Sequence, residues 1–310
     1  MGIEAFSLRM LCHAKRRGAP FSDTITLGRQ DLSLHDQDFK AVLRDMGRSL
    51  ADVQQKGVTG TGQADALLRE LLAIDRLVSI DCSGYEGATV VHDMNLPIPA
   101  DMREAFDAVI DTGTLEHVFN FPVAIANCMN MLRVGGRFFA LTPANNHCGH
   151  GFYQFSPELF FRLFGGVNGF ELEHVFAVQH PFPGIELSAS RTAYAVRDPA
   201  TLGQRVDLVN ARPVYLFVQA VKRAAVVPFA TFPQQSDYAN AWTLRPDADE
   251  IAPSLTLGQR VAIRIWQWHA QLPPALRRPL LGYFQRVYRH TFRYRRAYTP
   301  WDQRSPPPLL

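Results

Sequence analysis

Short apolar runs alternate with amphipathic stretches over the first two thirds of the chain. Residues 77–81 (LVSID), 89–92 (TVVH), 106–111 (FDAVID) and 137–142 (RFFALT) are nearly continuous in apolar character. That pattern predicts strands buried on both faces. Residues 24–34 (TITLGRQDLSL) begin with alternation and then meet Gly28, which predicts a strand and the turn after it. Residues 170–178 and 214–221 (VYLFVQAV) predict two later strands. Helical spacing lies between the strands. Phe39, Val42, Leu43 and Met46 space a helix within 36–52, and residues 64–74 (ADALLRELLAI) are strong helix formers. Residues 122–132 offer Val123, Ile125, Ala126 and Met129 to a core. Residues 156–164 open on Ser-Pro-Glu, an N-cap followed by proline in the first turn. Residues 56–63 (KGVTGTGQ) predict a glycine-rich loop.

Strands alternating with helices predict an α/β fold, a Rossmann-like, mostly parallel seven-stranded sheet with helices on both faces. The pattern changes near residue 227. Residues 228–254 are rich in Pro, Gln, Asp and Ala, and helical spacing returns over 255–271 and 279–298. The expected organisation is therefore an N-terminal segment (1–23), a main domain (24–226) and a partly helical C-terminal extension (227–310).

Composition adds limits. The 310 residues are 47% hydrophobic and 20% charged, a globular profile. A net charge of +3, from 32 basic and 29 acidic residues, is too balanced to argue for nucleic acid. The positive charge is concentrated late, because residues 251–301 contain no acid. There Arg286, Arg289, Arg293 and Arg296 recur at helical spacing among aromatic residues. Such a stripe reads either as a membrane-surface or polyanion-binding helix, or as a solvated helix face. No run reaches the roughly 18 apolar residues of a membrane span, and the N-terminus lacks the order of a signal peptide. Cys12, Cys82, Cys128 and Cys148 lack CxxC spacing and are expected to be reduced thiols of a cytoplasmic protein.

The chemistry is expected where ligands bind in open parallel sheets, at the carboxyl ends of the strands. Those ends carry Gly28-Arg29-Gln30, Asp81-Cys82, Asp93-Met94, Gly113-Thr114 with Glu116-His117, and Asn145-Asn146. A carboxylate such as Asp81 can accept two hydrogen bonds from a ribose diol. Asp93 can accept one from an adenine amino group. A glycine lets backbone approach a ligand closely.

The order FDAVIDTGTLEHVFN, MLRVGGRFFALTPANN, FSPELFFRLF and NGFELEHV resembles the second half of a class I S-adenosylmethionine (SAM) dependent methyltransferase. LVSIDCSGYEGATVVHDMNLPIP is similar to that family's second and third strands. The resemblance covers about residues 24–223. It implies SAM as cofactor, Asp81 in the ribose role, Asp93 in the adenine role, and Gly113 and Thr114 beside the methionine part. It places His117 close to the site. The family's first loop is usually G-x-G-x-G after an acidic strand end, whereas this chain has TLGRQDLSL. Binding there would use Gly28, backbone amides, Arg29 and Gln30.

The implied acceptor is a small molecule or sugar-type compound. His117 and His150 are candidate proton acceptors, since an imidazole titrates near neutrality. Asn145, Asn146, Tyr153 and Gln154 are expected to face the acceptor. His147, Cys148 and His150 invite a zinc reading, but their spacing lacks a second ligand pair, so no metal is expected. Two rival functions stay open. One is a non-catalytic methyltransferase-like binding domain. The other is an NAD(P)-dependent oxidoreductase, which would want G-x-G-x-x-G after its first strand.

Overall fold

The computed structural model describes residues 2–55, 57–180, 192–203, 205–243, 291–303 and 305–310, with isolated positions between 264 and 279. The order begins β1 (Ile3–Glu4), α1 (Ala5–Arg16), β2 (Asp23–Leu27), β3 (Asp31–Ser33), α2 (Asp36–Asp45), α3 (Leu50–Gln55), β4 (Thr61–Gln63) and α4 (Asp65–Leu72). It continues β5 (Arg76–Asp81), β6 (Val90–Val91), β7 (Phe106–Asp111), α5 (Phe121–Met131), β8 (Leu132–Asn145) and α6 (Pro157–Leu163). The last elements are β9 (Phe170–Gln179), β10 (Thr192–Val196), α7 (Pro199–Leu202), β11 (Val214–Lys222), α8 (Ser236–Thr243) and β12 (Tyr298–Trp301).

The main sheet has nine strands in the order β12-β10-β9-β11-β8-β7-β2-β5-β6, which corrects the expectation of seven. Its β8-β7-β2-β5-β6 half is parallel throughout. The other half is antiparallel at every pairing, which corrects the expectation of a mostly parallel sheet. The physical reason is that a strand buried on both faces looks the same in either direction. All nine residues of β11 are buried, so its reversal between β8 and β9 leaves no mark in the hydropathy pattern.

Both faces of the sheet are covered. Val109, Phe138 and Ala140 point into one core, with Ala124, Ile125 and Cys128 of α5 and Phe160 and Leu163 of α6. Their chain neighbours Ala108, Ile110, Phe139 and Leu141 point into the other, with α1, α2 and α4. That is period-two alternation with both sides apolar. Helix α1 starts on a capping box: Ser7 N donates to Glu4 Oε1 (2.9 Å) and Glu4 N to Ser7 Oγ (3.1 Å). It buries Phe6 edge-on against Phe176, Phe217 and Trp301. The expected helix over 36–52 is divided into α2 and α3. The glycine-rich loop at 56–63 ends in β4, which pairs with β3 in a separate three-stranded sheet.

Arginines pair with acids at the amino ends of the parallel strands. Arg76 Nε meets Asp23 Oδ1 at 2.6 Å, and Arg133 lies 2.7 Å from Asp23 and 3.0 Å from Asp107. The Arg76 and Arg133 guanidiniums hold the Asp23 carboxyl below its ordinary range. No helix among the described residues is long and apolar enough to cross a membrane. The expected helix at 255–271 and Arg286 and Arg289 lie largely or wholly outside the described residues. The end of the one expected over 279–298 is turn at 291–297 and then β12, so Arg293 and Arg296 lie in turns.

Candidate functional site

Three neighbouring parallel strands, β5, β2 and β7, end side by side, and their last residues set the geometry. Gly28 follows β2 with φ +70° and donates its N–H to Ile80 O (2.8 Å). A Cβ at Gly28 would lie 3.1 Å from Thr114 Oγ1, 3.7 Å from Asp81 Oδ2 and 3.8 Å from Gln30 Nε2. Glycine is needed there both for the left-handed φ and for the close approach. Asp81 is half-buried, and Oδ1 accepts weakly from Ser83 N (3.3 Å). His92 N donates to Asp81 O (2.8 Å), which brings Asp93 to the next position along the edge. Asp93 is solvent-exposed and accepts from Asn95 N (2.9 Å) and Asn95 Nδ2 (2.7 Å). Those two bonds hold its carboxyl below the usual range and converge on one oxygen, Oδ1.

The other expected cofactor residues divide. Cys82 is exposed, and the neighbouring Asp81 carboxylate, more than any other cause, raises its thiol. Met94 is 4% exposed and packs in the core. Arg29 reaches away along the edge, pairing with Asp65 Oδ2 (3.3 Å) and donating to Glu86 O (3.4 Å). Gln30 is buried. Its amide donates to Leu27 O (2.5 Å), and its Oε1 accepts from Thr112 Oγ1. Thr114 Oγ1 also donates to Leu27 O (2.8 Å). Side chains of Gln30 and Thr114 therefore fill the space under the first loop.

Beyond β7 the edge becomes acidic and then histidine-rich. Asp111 and Glu116 are fully buried, and sequence reasoning gave neither a role. Asp111 Oδ1 accepts from Thr114 N (2.9 Å) and Leu115 N (3.4 Å), shaping the Thr112–Leu115 turn around Gly113, whose φ is +111°. Asp111 Oδ2 has no hydrogen bond. Burial raises both carboxyls, and the charge of Asp111 raises Glu116 further. The signal in the sequence is an acid closing the apolar run AVID, where a purely structural strand has no use for one.

His150 Nε2 lies 3.4 Å from Glu116 Oε1, at ion-pair distance but outside hydrogen-bond geometry. The His117 and His150 rings meet edge to face at 5.0 Å. Burial lowers both imidazoles, favouring their neutral forms. The His147 ring packs at a tilt against Tyr215 (centroids 4.2 Å, 57° between planes), and its imidazole is lowered to about 4 by burial. Of the residues expected to face an acceptor, Asn145 donates to Asn210 Oδ1 (2.8 Å) and Asn146 to Arg212 O (2.8 Å). Tyr153 donates to Phe119 O (2.6 Å), and Gln154 accepts from His147 N (2.8 Å). These four fasten the loop. Phe119 and Phe152 remain 72% and 69% exposed, their rings 5.9 Å apart, and present an apolar mouth beside the histidines.

The two ends of the parallel strands thus differ in charge pairing. Among the described residues, no Lys or Arg pairs with Asp81, Asp93, Asp111 or Glu116. A cleft of about 320 Å³ lies elsewhere, lined by Glu158, Arg162, Arg205 and Asp207. Its arginines are paired, Arg162 with Glu158 (3.2 Å) and Arg205 with Asp237 (2.7 Å) beside the cleft. The strand-end carboxylates that no described Lys or Arg neutralises, not the cleft volume, make this edge the candidate site.

No protein-family profile matches the chain, and none of the curated protein sequences does. Among solved structures, the chain is similar to a SAM-dependent methyltransferase from Thermotoga maritima, described as a possible histamine N-methyltransferase. The two share 13% identity over 71% of this chain and 90% of that one, with a TM-score of 0.36. It is also similar to an N-methyltransferase from Bradyrhizobium japonicum in complex with S-adenosylhomocysteine, at 12% identity over 70% and 86% of the chains and a TM-score of 0.38. A third is 1,6-didemethyltoxoflavin-N1-methyltransferase from Burkholderia thailandensis, at 15% identity over 70% and 79%, with a TM-score of 0.35.

Proposed function

We propose that the chain is a SAM-dependent methyltransferase acting on a small-molecule or sugar-type acceptor. The observation that carries this reading is the convergence of Gly28, Asp81 and Thr114 at three adjacent strand ends, with Asp93 beside them. The donor set fits a nucleoside. Asp81 offers a carboxylate without a basic partner to a ribose diol, and Asp93 keeps Oδ2 for an amino group. Gly113 and Thr114 would border the methionine part. Bound there, the cofactor supplies a sulfonium methyl group for in-line transfer to an O, N or C nucleophile.

The chain's own contribution is positioning and exclusion of water. Phe119 and Phe152 would flank the acceptor. His117 or His150, neutral near pH 7, can accept the proton that the nucleophile gives up. Arg29 would act indirectly, by bracing the Asp81 loop through Glu86 O.

Calorimetric titration of the full chain with SAM and S-adenosylhomocysteine tests this. The expected result is micromolar binding that weakens at least tenfold in Asp81→Ala and in Asp93→Ala. Binding by neither ligand to folded protein would overturn it, and binding of NADH instead would favour an oxidoreductase. One observation favours a second reading, a non-catalytic binding domain: Gln30 and Thr114 close the space under the first loop. That reading expects no turnover even where SAM binds.

A further inference from the structure

Two loops that are far apart in sequence bring three metal-ligating side chains together. Glu116 and His117 follow β7, and His150 lies in the loop after β8. The Glu116 carboxylate and the two imidazoles place ligand atoms within 4.8 Å of one another. Glu116 is fully buried and its Oε1 makes no hydrogen bond. It faces His150 Nε2 at 3.4 Å, a nitrogen equally without a hydrogen bond. Two buried polar atoms left in this way are costly unless something satisfies both. A cation between them does so. With bonds of about 2.1 Å, tetrahedral ligands lie about 3.4 Å apart.

The cluster is also held in place from outside. Phe152 N and Tyr153 N donate to Glu116 O (2.8 and 3.2 Å), clamping the His150 loop against the acid. Gly151, with φ +75°, permits this approach, since a Cβ there would stand 2.8 Å from Glu116 O. His117 N donates to Thr114 O (2.9 Å), fixing the third ligand to the β7 turn. Preorganised ligands of this kind are what metal sites require of their surroundings.

We infer that Glu116, His117 and His150 form a site for one divalent transition-metal ion. Two imidazole nitrogens and one carboxylate suit Zn²⁺, Co²⁺, Mn²⁺ or Fe²⁺ better than Mg²⁺ or Ca²⁺, which prefer all-oxygen shells. Three protein ligands leave at least one coordination position for a bound molecule. The ion would hold an acceptor hydroxyl or amine there and lower its pKa, so that its proton passes to solvent water rather than to His117 or His150, which the metal then occupies. The set His147, Cys148 and His150, set aside on its spacing, is not the one proposed; the ligands come from two loops, against the expectation of no metal. Metal binding stands on these three side chains and not on the methyltransferase reading.

The test uses chelator-treated full-length protein titrated with Co²⁺, read by visible ligand-field absorption and by thermal shift. The expected result is one equivalent bound, with micromolar or tighter affinity and a rise in Tm. Glu116→Gln, a near-isosteric change, and His150→Ala each weaken binding at least tenfold. His35→Ala, an exposed histidine on α2's N-cap, leaves it unchanged. Absence of both the absorption band and the thermal shift at millimolar Co²⁺ overturns the inference. So does binding that survives in Glu116→Gln and His150→Ala alike. Titration of the same samples with S-adenosylhomocysteine separates a failed metal site from a failed cofactor site.

Discussion

His174 illustrates how one side chain's surroundings translate into a solution property. It sits on β9, 3% exposed, with Nδ1 2.8 Å from Pro308 O. Burial lowers its imidazole from 6.5 to about 4, against the opposing effects of the Pro308 carbonyl and Glu173. In the unfolded chain the same ring takes up a proton as pH falls below about 6.5. The folded protein does not until about 4, so protons favour unfolding between those values. Stability is therefore full above about 6.5 and falls as pH drops towards 4, by at most about 3 kcal/mol from this residue. In His174→Gln, which retains a donor for Pro308 O, the acid limb of a Tm-against-pH curve becomes shallower. An unchanged limb would show that other groups set acid stability. His147, lowered in the same direction, adds to the wild-type slope.

Strand β11 shows how a segment can be buried throughout and still depend on its polar residues. Gln219 and Lys222 are both buried in it. Lys222 Nζ donates to Leu132 O (2.8 Å) and Met129 O (3.1 Å) and lies 3.3 Å from Glu104. It thereby satisfies carbonyls at the carboxyl end of α5, where a cation also opposes the helix dipole. Gln219 donates to Glu173 Oε2 (2.6 Å), which Arg137 also holds. Lys222→Met keeps the volume but orphans two buried carbonyls. The expected loss is about 1–3 kcal/mol, read as a lower denaturant midpoint without a change in m-value. An unaltered midpoint would mean that water replaces the ammonium.

Closure of the sheet depends on the far end of the chain. β12 pairs antiparallel with β10 and supplies the outermost strand, where Pro300 is tolerated because one side of an edge strand needs no donor. Tyr298 is 1% exposed in one core, and Trp301 packs tilted against Phe176 (centroids 4.8 Å) in the other. Removing residues 298–310 strips both rings from the sheet, uncovers the edge of β10 and takes the Pro308 carbonyl from His174. The loss should be on the order of 3–5 kcal/mol, with concentration-dependent aggregation at the new edge. A truncated chain that melts unchanged would show the strand to be dispensable.

The sequence alone determined the alternation of strands and helices, the two-sided burial of the sheet, and the carboxylates and glycines at its strand ends. Those follow from periodicity and from residue chemistry, which are local. Only the tertiary structure decided the reversed and added strands, because burial on both faces erases direction and a pairing across some hundred residues leaves no local trace. The same holds for the site. Asp81 and Asp93 were legible as candidates because one ends and the other follows its own apolar run. The union of Glu116 with His150 was not, since it depends on two loops meeting, and the buried, unpartnered oxygen that marks it exists only once the chain has folded around it.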